Sequence, residues 1–341
     1  IKRIRPGRIQ AVVINSGNAN ACTGPRGSRD AEAVCRLVAA RLAIHPKLVL
    51  PSSTGIIGVP LPMGKVRRGV EQATAQLSPQ FFSQAAEAIL TTDRFPKTSM
   101  RSCQLRGKRV IVAGMAKGAG MVAPNMATML AYVLTNARVE LSSLRNILVR
   151  TAGRTFNSVT VDGDTSTNDT VLLLANGLAQ NRPMKKGSRD EKTLEQAVFQ
   201  VMKDLAVKLV EDAEGGTKVA EIFVEGARSV DEAKRIAFSV ANSTLVKTAF
   251  FGEDPNLGRI MVAIGYAGVP IHPDRVSVSI GGIRVVQRGI VTTAALRKAA
   301  HVMRRPSFRV KINLGQGKKS ASVWTSDLSY QYVRINSAYR T

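Results

Sequence analysis

Histidine is scarce in this chain: only His45, His272 and His301 occur among 341 residues. None lies in an HExxH pattern or beside a GxSxG turn, so a serine triad or a zinc hydrolase has little material. Cysteine is as sparse. Cys22, Cys35 and Cys103 show no CxxC spacing. That argues against a disulfide framework or a zinc site and suits a reducing cytosol, the expected compartment. No stretch approaches the roughly 18 uninterrupted apolar residues of a membrane helix, so no membrane association is expected. The first residues, Ile1-Lys2-Arg3-Ile4-Arg5, lack an apolar h-region, so no signal peptide is expected. No GxxxxGK[ST] loop occurs. The glycine-rich run Gly114 to Gly120 lacks the strand–GxGxxG–helix context with a downstream acid, which leaves no cofactor to expect.

Acidic residues are also few. Lys and Arg number 49 against 24 Asp and Glu, a net charge of +25. Such a balance can serve nucleic acid or acidic substrates. Here the charge is scattered in pairs such as Arg67-Arg68, Lys185-Lys186, Arg304-Arg305 and Lys318-Lys319, and aromatics make up only 5%. A solvated surface is the expected reading, with no nucleic-acid partner. A basic binding protein on an inactive enzyme core is the rival that this charge sustains.

What is present is a mixed pattern on a chain long enough for a sizeable core. Ala11 to Ile14, Leu48 to Leu50 and Val110 to Val112 read as buried strands. Asp30 is predicted to cap a helix through Val34, Cys35, Val38 and Leu42, with Cys35 in the core. Ser78-Pro79 is predicted to open another, with Phe81, Phe82, Ala85, Ala86 and Ile89 inward. A long helix should follow Asp190, burying Leu194, Val198, Val201, Met202, Leu205, Leu209 and Val210. A further helix holds Ala233, Ile236, Ala237 and Val240. Strands are predicted at Val219 to Val224, Ile260 to Ile264, Val276 to Ile280, Phe308 to Ile312 and Ala321 to Trp324. Asn181 to Ser188 should be an exposed loop. There is no regular βαβ repeat and no solenoid period. The fold class is therefore α/β, a layered sandwich with mixed sheets and not a doubly wound one.

Asp162-Gly163-Asp164-Thr165-Ser166-Thr167-Asn168-Asp169 resembles a calcium loop, but it lacks the glycine at the sixth position and the closing Glu. A turn with Asx-type hydrogen bonds is expected instead, and no metal site. The chemistry left over is a threonine nucleophile. A mid-chain Thr hydroxyl needs a base. If the chain cuts itself just before the Thr, the freed α-amine can serve, with a pKa near 7.7–8.0. Ala127-Thr128 suits such a cut, because the small Ala127 lets the hydroxyl reach the preceding carbonyl. By itself Ala-Thr is an ordinary dipeptide.

Its setting is distinctive. Lys117-Gly118-Ala119-Gly120-Met121, followed by Pro124-Asn125-Met126-Ala127-Thr128-Met129-Leu130, resembles the signature of the ornithine acetyltransferase (glutamate N-acetyltransferase) family of arginine biosynthesis. Further blocks match in order: Asn15 to Gly24, Ser53 to Gly58, Thr91-Thr92-Asp93, Glu214 to Lys218, Lys247 to Gly252, Asp254-Pro255-Asn256, and Tyr332 to Thr341. Two features depart from the family pattern: a segment normally found ahead of the Asn15 block, and a Trp where Leu257 stands.

The resemblance implies a sandwich similar to N-terminal-nucleophile enzymes with its own topology. It implies self-cleavage between Ala127 and Thr128 into fragments 1–127 and 128–341, which stay associated and pair into a heterotetramer. It implies Thr128 as the nucleophile, with Thr54 and Gly55 as the oxyanion hole. Substrate contacts would come from Thr91 or Thr92, Lys117, Thr128, Glu214, Asn336 and Thr341. The implied reaction moves acetyl from N-acetylornithine to glutamate. Some family members also use acetyl-CoA, and no residue here decides between one activity and both. A self-cleaving N-terminal-threonine amidohydrolase or aminopeptidase is the alternative.

Overall fold

The computed structural model describes residues 7–123, 129–184 and 186–338. The chain opens with β1 (Ala11–Asn15), α1 (Gly24–Leu42), β2 (Val49–Ser53), α2 (Met63–Ala75) and α3 (Phe82–Ala88). A central stretch follows: β3 (Lys97–Leu105), β4 (Lys108–Lys117), β5 (Leu130–Thr135), α4 (Leu141–Ala152), β6 (Val159–Thr160), β7 (Thr170–Ala175) and α5 (Arg189–Glu211). The remainder comprises β8 (Val219–Ala227), α6 (Val230–Asn242), α7 (Thr244–Phe251), α8 (Leu257–Gly265) and β9 (Ser277–Ile280). It ends with β10 (Ile283–Gln287), β11 (Ile290–Val291), α9 (Leu296–Met303), β12 (Ser307–Asn313), β13 (Lys319–Ser326) and α10 (Tyr330–Ala338).

These elements form three sheets. β1 and β2 pair in parallel. A four-stranded mixed sheet runs β3-β4-β5-β7, with β5 and β7 parallel. A seven-stranded mixed sheet runs β11-β10-β9-β12-β8-β13-β6. The layers follow from which side chains share a core. α1 and α2 bury Cys35, Val38 and Val70 against β1 and β2. Leu50 of β2 meets Met115, Leu130, Tyr132 and Leu172 of the four-stranded sheet. On the opposite side of that sheet, α5 packs between it and the seven-stranded sheet. α6 and α8 cover the far face of the seven-stranded sheet. The expected layered α/β class with mixed sheets is what the structure has.

α5 is the hub, and its sequence explains why. Ser188 caps it by accepting from the Glu191 amide at 3.3 Å, and Asp190 and Glu191 occupy the positive first turn. Leu194, Val198, Val201, Met202, Leu205, Leu209 and Val210 are all buried, as their spacing predicts. Each fully buried leucine contributes about 1.5–3 kcal/mol relative to exposure.

Four local expectations need correction. Ile260 to Ile264 is helical, within α8. Asn256 caps that helix by accepting from the Arg259 amide at 3.2 Å, and Leu257, Ile260, Ala263 and Ile264 form its buried stripe. Asp30 lies inside α1, which starts at Gly24 because Pro25 suits the first turn. Ser78 caps a short 3₁₀ turn over Pro79–Phe81 ahead of α3, which rotates Phe81 and Ala85 outward, leaving Ala86 and Ile89 buried. In the segment 181–188, Asn181 and Met184 are buried while Arg182, Pro183, Lys186 and Gly187 are exposed. The Asn181 amide explains its burial, because it accepts from the Arg138 amide and donates to the Arg138 carbonyl.

Candidate active site

The block from Asn15 to Gly24 builds a scaffold for the turn at Thr54-Gly55. The Thr54 amide donates to the Asn15 carbonyl at 3.1 Å, and the Ile56 amide to the Gly17 carbonyl at 3.4 Å. Asn18 donates through its side chain to the carbonyls of Val59 and Pro60. Gly55 has φ +128°, and a Cβ there would lie 2.3 Å from the Gly17 carbonyl carbon, so only glycine fits.

This turn lines a cavity of about 300 Å³ together with the end of β4, the loop between β6 and β7, the segment ahead of β8 and α10. Thr54, Gly55, Thr91, Thr92, Lys117, Glu214 and Asn336 all line it. Every sequence-predicted site residue within the described parts of the chain therefore meets at one place. Ala127, Thr128 and Thr341 lie outside the described residues. Met129, bonded to Thr128, opens the approach to β5, and its amide donates to Asp169 Oδ1 at 2.9 Å.

Lys117 ends β4, and its side chain is 3% exposed. Its Nζ donates to Thr91 Oγ1 at 2.7 Å, lies 3.5 Å from Thr54 Oγ1 and 3.6 Å from Asp93 Oδ2. Burial lowers its proton affinity below that of an ordinary lysine, and the Asp93 charge opposes the loss. Asp93 also accepts from Lys97 Nζ at 2.7 Å and from the Gly118 amide at 2.6 Å. Burial alone would raise its pKa, but Lys117 and Lys97 outweigh that and hold it below the usual carboxylate value. Lys97 goes on to Asp212 at 2.5 Å, and Asp212 to Arg94 Nε at 2.8 Å. A chain of alternating charges thus runs from the cavity to the end of α5.

Glu214 follows two residues after Asp212. Its amide donates to the Ala119 carbonyl at 2.9 Å, and its Oε2 accepts from Asn336 Nδ2 at 3.0 Å. Gly120 leaves room for this carboxylate, since a Cβ there would come within 2.5 Å of Glu214 Oε2. The C-terminal segment reaches the site because it is tied down beforehand. The buried Lys247 donates to Thr325 Oγ1 at 3.0 Å. Asp327 accepts from the Thr217 and Lys218 amides at 2.7 and 2.9 Å, and Ser329 Oγ donates to the Gly215 carbonyl at 2.5 Å.

Sequence reasoning missed three residues here. Asp162 accepts from the Met121 and Val122 amides at 2.6 and 2.9 Å, and burial raises its pKa. Burial also pushes Asp169 up to about 7, against the pull of its hydrogen bond from the Met129 amide. Asn168 donates to the carbonyls of Ala19 and Ser53. The only sequence signal was the acidic run itself. The turn read there does form: the Asp164 amide donates to Asp162 Oδ1 at 3.3 Å. No group of three or more metal-ligating side chains occurs among the described residues. No helix among them is long and apolar enough to cross a membrane.

The ArgJ family model matches residues 1–341. The arginine biosynthesis bifunctional protein ArgJ of Geobacter sulfurreducens is 47% identical over 100% of this chain and 87% of its own length. Its namesake from Symbiobacterium thermophilum is 46% identical over 99% of this chain and 84% of its own. Among solved structures, the protein of that name from Bacillus halodurans superposes with a TM-score of 0.59 at 36% identity, over 61% of this chain and 98% of that one. With a whole-length family match and relatives this similar across nearly all of it, the chain belongs to the ArgJ family.

Proposed function

We propose that this chain is an acetyltransferase of arginine biosynthesis that moves acetyl from N-acetylornithine to glutamate through an acetyl-Thr128 intermediate. The observation that carries the reading is the cavity, which presents a buried ammonium, Lys117, and a carboxylate, Glu214, together with the turn at Thr54-Gly55. N-acetylornithine needs both signs: a cationic end for its α-carboxylate and an anionic one for its side-chain ammonium. Thr91, Thr92 and Lys117 form the first end; Glu214 and Asn336 form the second, with Thr341 joining from the tail.

Thr128, freed by cleavage after Ala127, attacks the acetyl carbonyl with its own α-amine as base. The Thr54 hydroxyl and the Gly55 amide stabilise the charge on the carbonyl oxygen. Ornithine leaves, glutamate enters, and its amine takes the acetyl group from Thr128. The curated relatives are named bifunctional; acetyl-CoA as a second acetyl donor would load the same Thr128. The chemistry calls for no metal or cofactor.

The fold supports the fragment reading. β4 lies in 1–127 and β5 in 128–341, and they pair in register from Val112↔Thr135 to Lys117↔Leu130. The core around α5 also draws on both sides. Cleavage after residue 127 therefore leaves the main contacts intact, in an arrangement akin to N-terminal-nucleophile sandwiches. The solved Bacillus halodurans chain is matched almost whole by 61% of this one. Residues 128–341 are 214 of 341, a fragment of that size. Two such fragment pairs would form the heterotetramer, and cysteines that form no disulfide among the described residues suit the cytoplasm.

Incubation with N-acetylornithine, with and without glutamate, tests the reaction. N-acetylglutamate should form, and only when glutamate is present. Release of acetate at equal rates in both would instead make the protein a hydrolase.

A further inference from the structure

We propose that the loop between β6 and β7 is the clamp for self-cleavage. Asp162 and Asp169 hold the two flanks of the scissile segment as hydrogen-bond acceptors, and so present the Thr128 hydroxyl to the Ala127 carbonyl. The proposal rests on the reading of self-cleavage before Thr128.

One continuous stretch of chain, 160–170, holds both flanks. Upstream, the Val122 amide donates to Asp162 Oδ1 at 2.9 Å, and the Val122 carbonyl accepts from the Val161 amide at 2.7 Å. The Met121 amide donates to Asp162 Oδ2 at 2.6 Å. Downstream, the Met129 amide donates to Asp169 Oδ1 at 2.9 Å, and the Met129 carbonyl accepts from the Thr170 amide at 3.1 Å. Val122 and Met129 are thus each fixed by both main-chain groups, and both are buried. Six residues, Ala123 to Thr128, separate them. The Met129 nitrogen belongs to the peptide bond that follows Thr128, so the Asp169 contact acts one residue from the nucleophile.

The loop is itself fixed. The Asp164 amide donates to Asp162 Oδ1 at 3.3 Å, and the Asn168 amide to Ser166 Oγ at 3.1 Å. Asn168 Nδ2 donates to the Ser53 carbonyl at 3.1 Å, beside the turn at Thr54-Gly55. The same loop therefore ties the flanks of the scissile segment to the donors assigned to the oxyanion.

Self-cleavage makes a demand that acetyl transfer does not. Before the cut Thr128 has no free amine, and its hydroxyl must attack its own neighbour. Thr128 Oγ bonds to the Ala127 carbonyl carbon, the C–N bond breaks, and the hydroxyl proton passes to the nitrogen. Water then splits the resulting ester, leaving a carboxyl group on Ala127 and a hydroxyl and free amine on Thr128. Attack requires the reacting atoms to stand about 3–3.5 Å apart. Fixing both ends of so short a segment removes much of the conformational freedom that opposes this approach.

The two carboxylates differ in a way that can be tested. Asp162 uses both oxygens on main-chain amides. Asp169 uses Oδ1, and its Oδ2 has no hydrogen-bond partner among the described residues. An asparagine has one acceptor oxygen, so it can replace Asp169 but not Asp162.

The test is cell-free synthesis of the full chain, with conversion to fragments 1–127 and 128–341 followed on denaturing gels. The wild type should cleave, and Thr128→Ala should stay whole. Asp162→Ala and Asp169→Ala should each slow cleavage by about 10- to 100-fold, the scale for displacing a reacting group by about 1 Å. The asparagine variants keep the side-chain shape and separate the clamp from a failure to fold. Asp169→Asn should cleave at close to the wild-type rate, and Asp162→Asn should be as slow as Asp162→Ala. Asp169→Asn as slow as Asp169→Ala would make the residue a proton carrier and overturn the proposal. Cleavage of both alanine variants, or of Asp162→Asn, at the wild-type rate would overturn it as well, with the self-cleavage reading left standing. A wild-type chain that stays whole would remove that reading and the clamp together.

Discussion

The side-chain amide of Asn168 donates to the carbonyl of Ser53 at 3.1 Å, across 115 residues of sequence. The same nitrogen donates to Ala19 at 2.6 Å. One amide thus joins the acidic loop, the Asn15–Gly24 scaffold and the strand end that carries Thr54-Gly55. Asn168→Ala should cost about 1–3 kcal/mol, the penalty for leaving acceptors unpaired. It should also lower kcat by about 10- to 100-fold, since a displacement near 1 Å at an oxyanion turn is enough for that. Thermal unfolding and steady-state kinetics on one preparation would check both.

The buried charge chain makes a sharper stability prediction. Lys97 is fully buried between Asp93 and Asp212. Asp212→Ala leaves Lys97 with half of its compensation and removes the carboxylate that holds Arg94. A loss of about 3–5 kcal/mol is expected, as for other buried pairs broken from one side. Lys97→Met combined with Asp212→Asn removes both charges of the Lys97–Asp212 pair and should recover part of that loss. Denaturant midpoints for the three proteins decide it.

Asp169 predicts a pH dependence of stability. Its folded pKa, about 7, lies above the ordinary value of 3.8 because burial disfavours the charge. The folded state therefore binds the proton more tightly. The stability that this supplies is full below the unfolded pKa and is lost as pH rises through the folded one. Asp169→Asn can still accept from the Met129 amide but has no charge to bury. It should match the wild type near about pH 4 and exceed it above about pH 7. Melting temperatures across that range test the sign; a variant less stable at high pH would contradict it.

Glu214 should separate the substrates. Glu214→Gln keeps the acceptor for Asn336 but loses the charge. KM for N-acetylornithine should rise by about 10-fold or more, a loss of roughly 1.4 kcal/mol. KM for glutamate, whose side chain is anionic, should rise less or fall. Equal increases for both would remove the assigned role.

The long elements were legible because their patterns were long. α5 shows its stripe over six turns, and no strand could bury the same seven side chains. The run Ile260 to Ile264 was too short for periodicity to separate helix from strand; the Asn256 cap and the buried Leu257 decide it. The candidate site residues came from the resemblance of the ordered blocks to a known family, and the fold brings the described ones to one cavity. Asp162, Asn168 and Asp169 were not legible, because what they hold lies tens of residues away and only the folded chain brings it near. The Lys117–Thr54 relation was hidden for the same reason: 63 residues separate them.

Thr128 carries the proposed reaction. Intact-mass measurement of the purified protein, before and after N-acetylornithine without glutamate, reads it in one experiment. Two fragments should be present, ending at Ala127 and beginning at Thr128. The second should gain one acetyl group with the donor and lose it when glutamate is added. A single uncleaved chain, or a second fragment that never carries acetyl while transfer proceeds, would contradict the account.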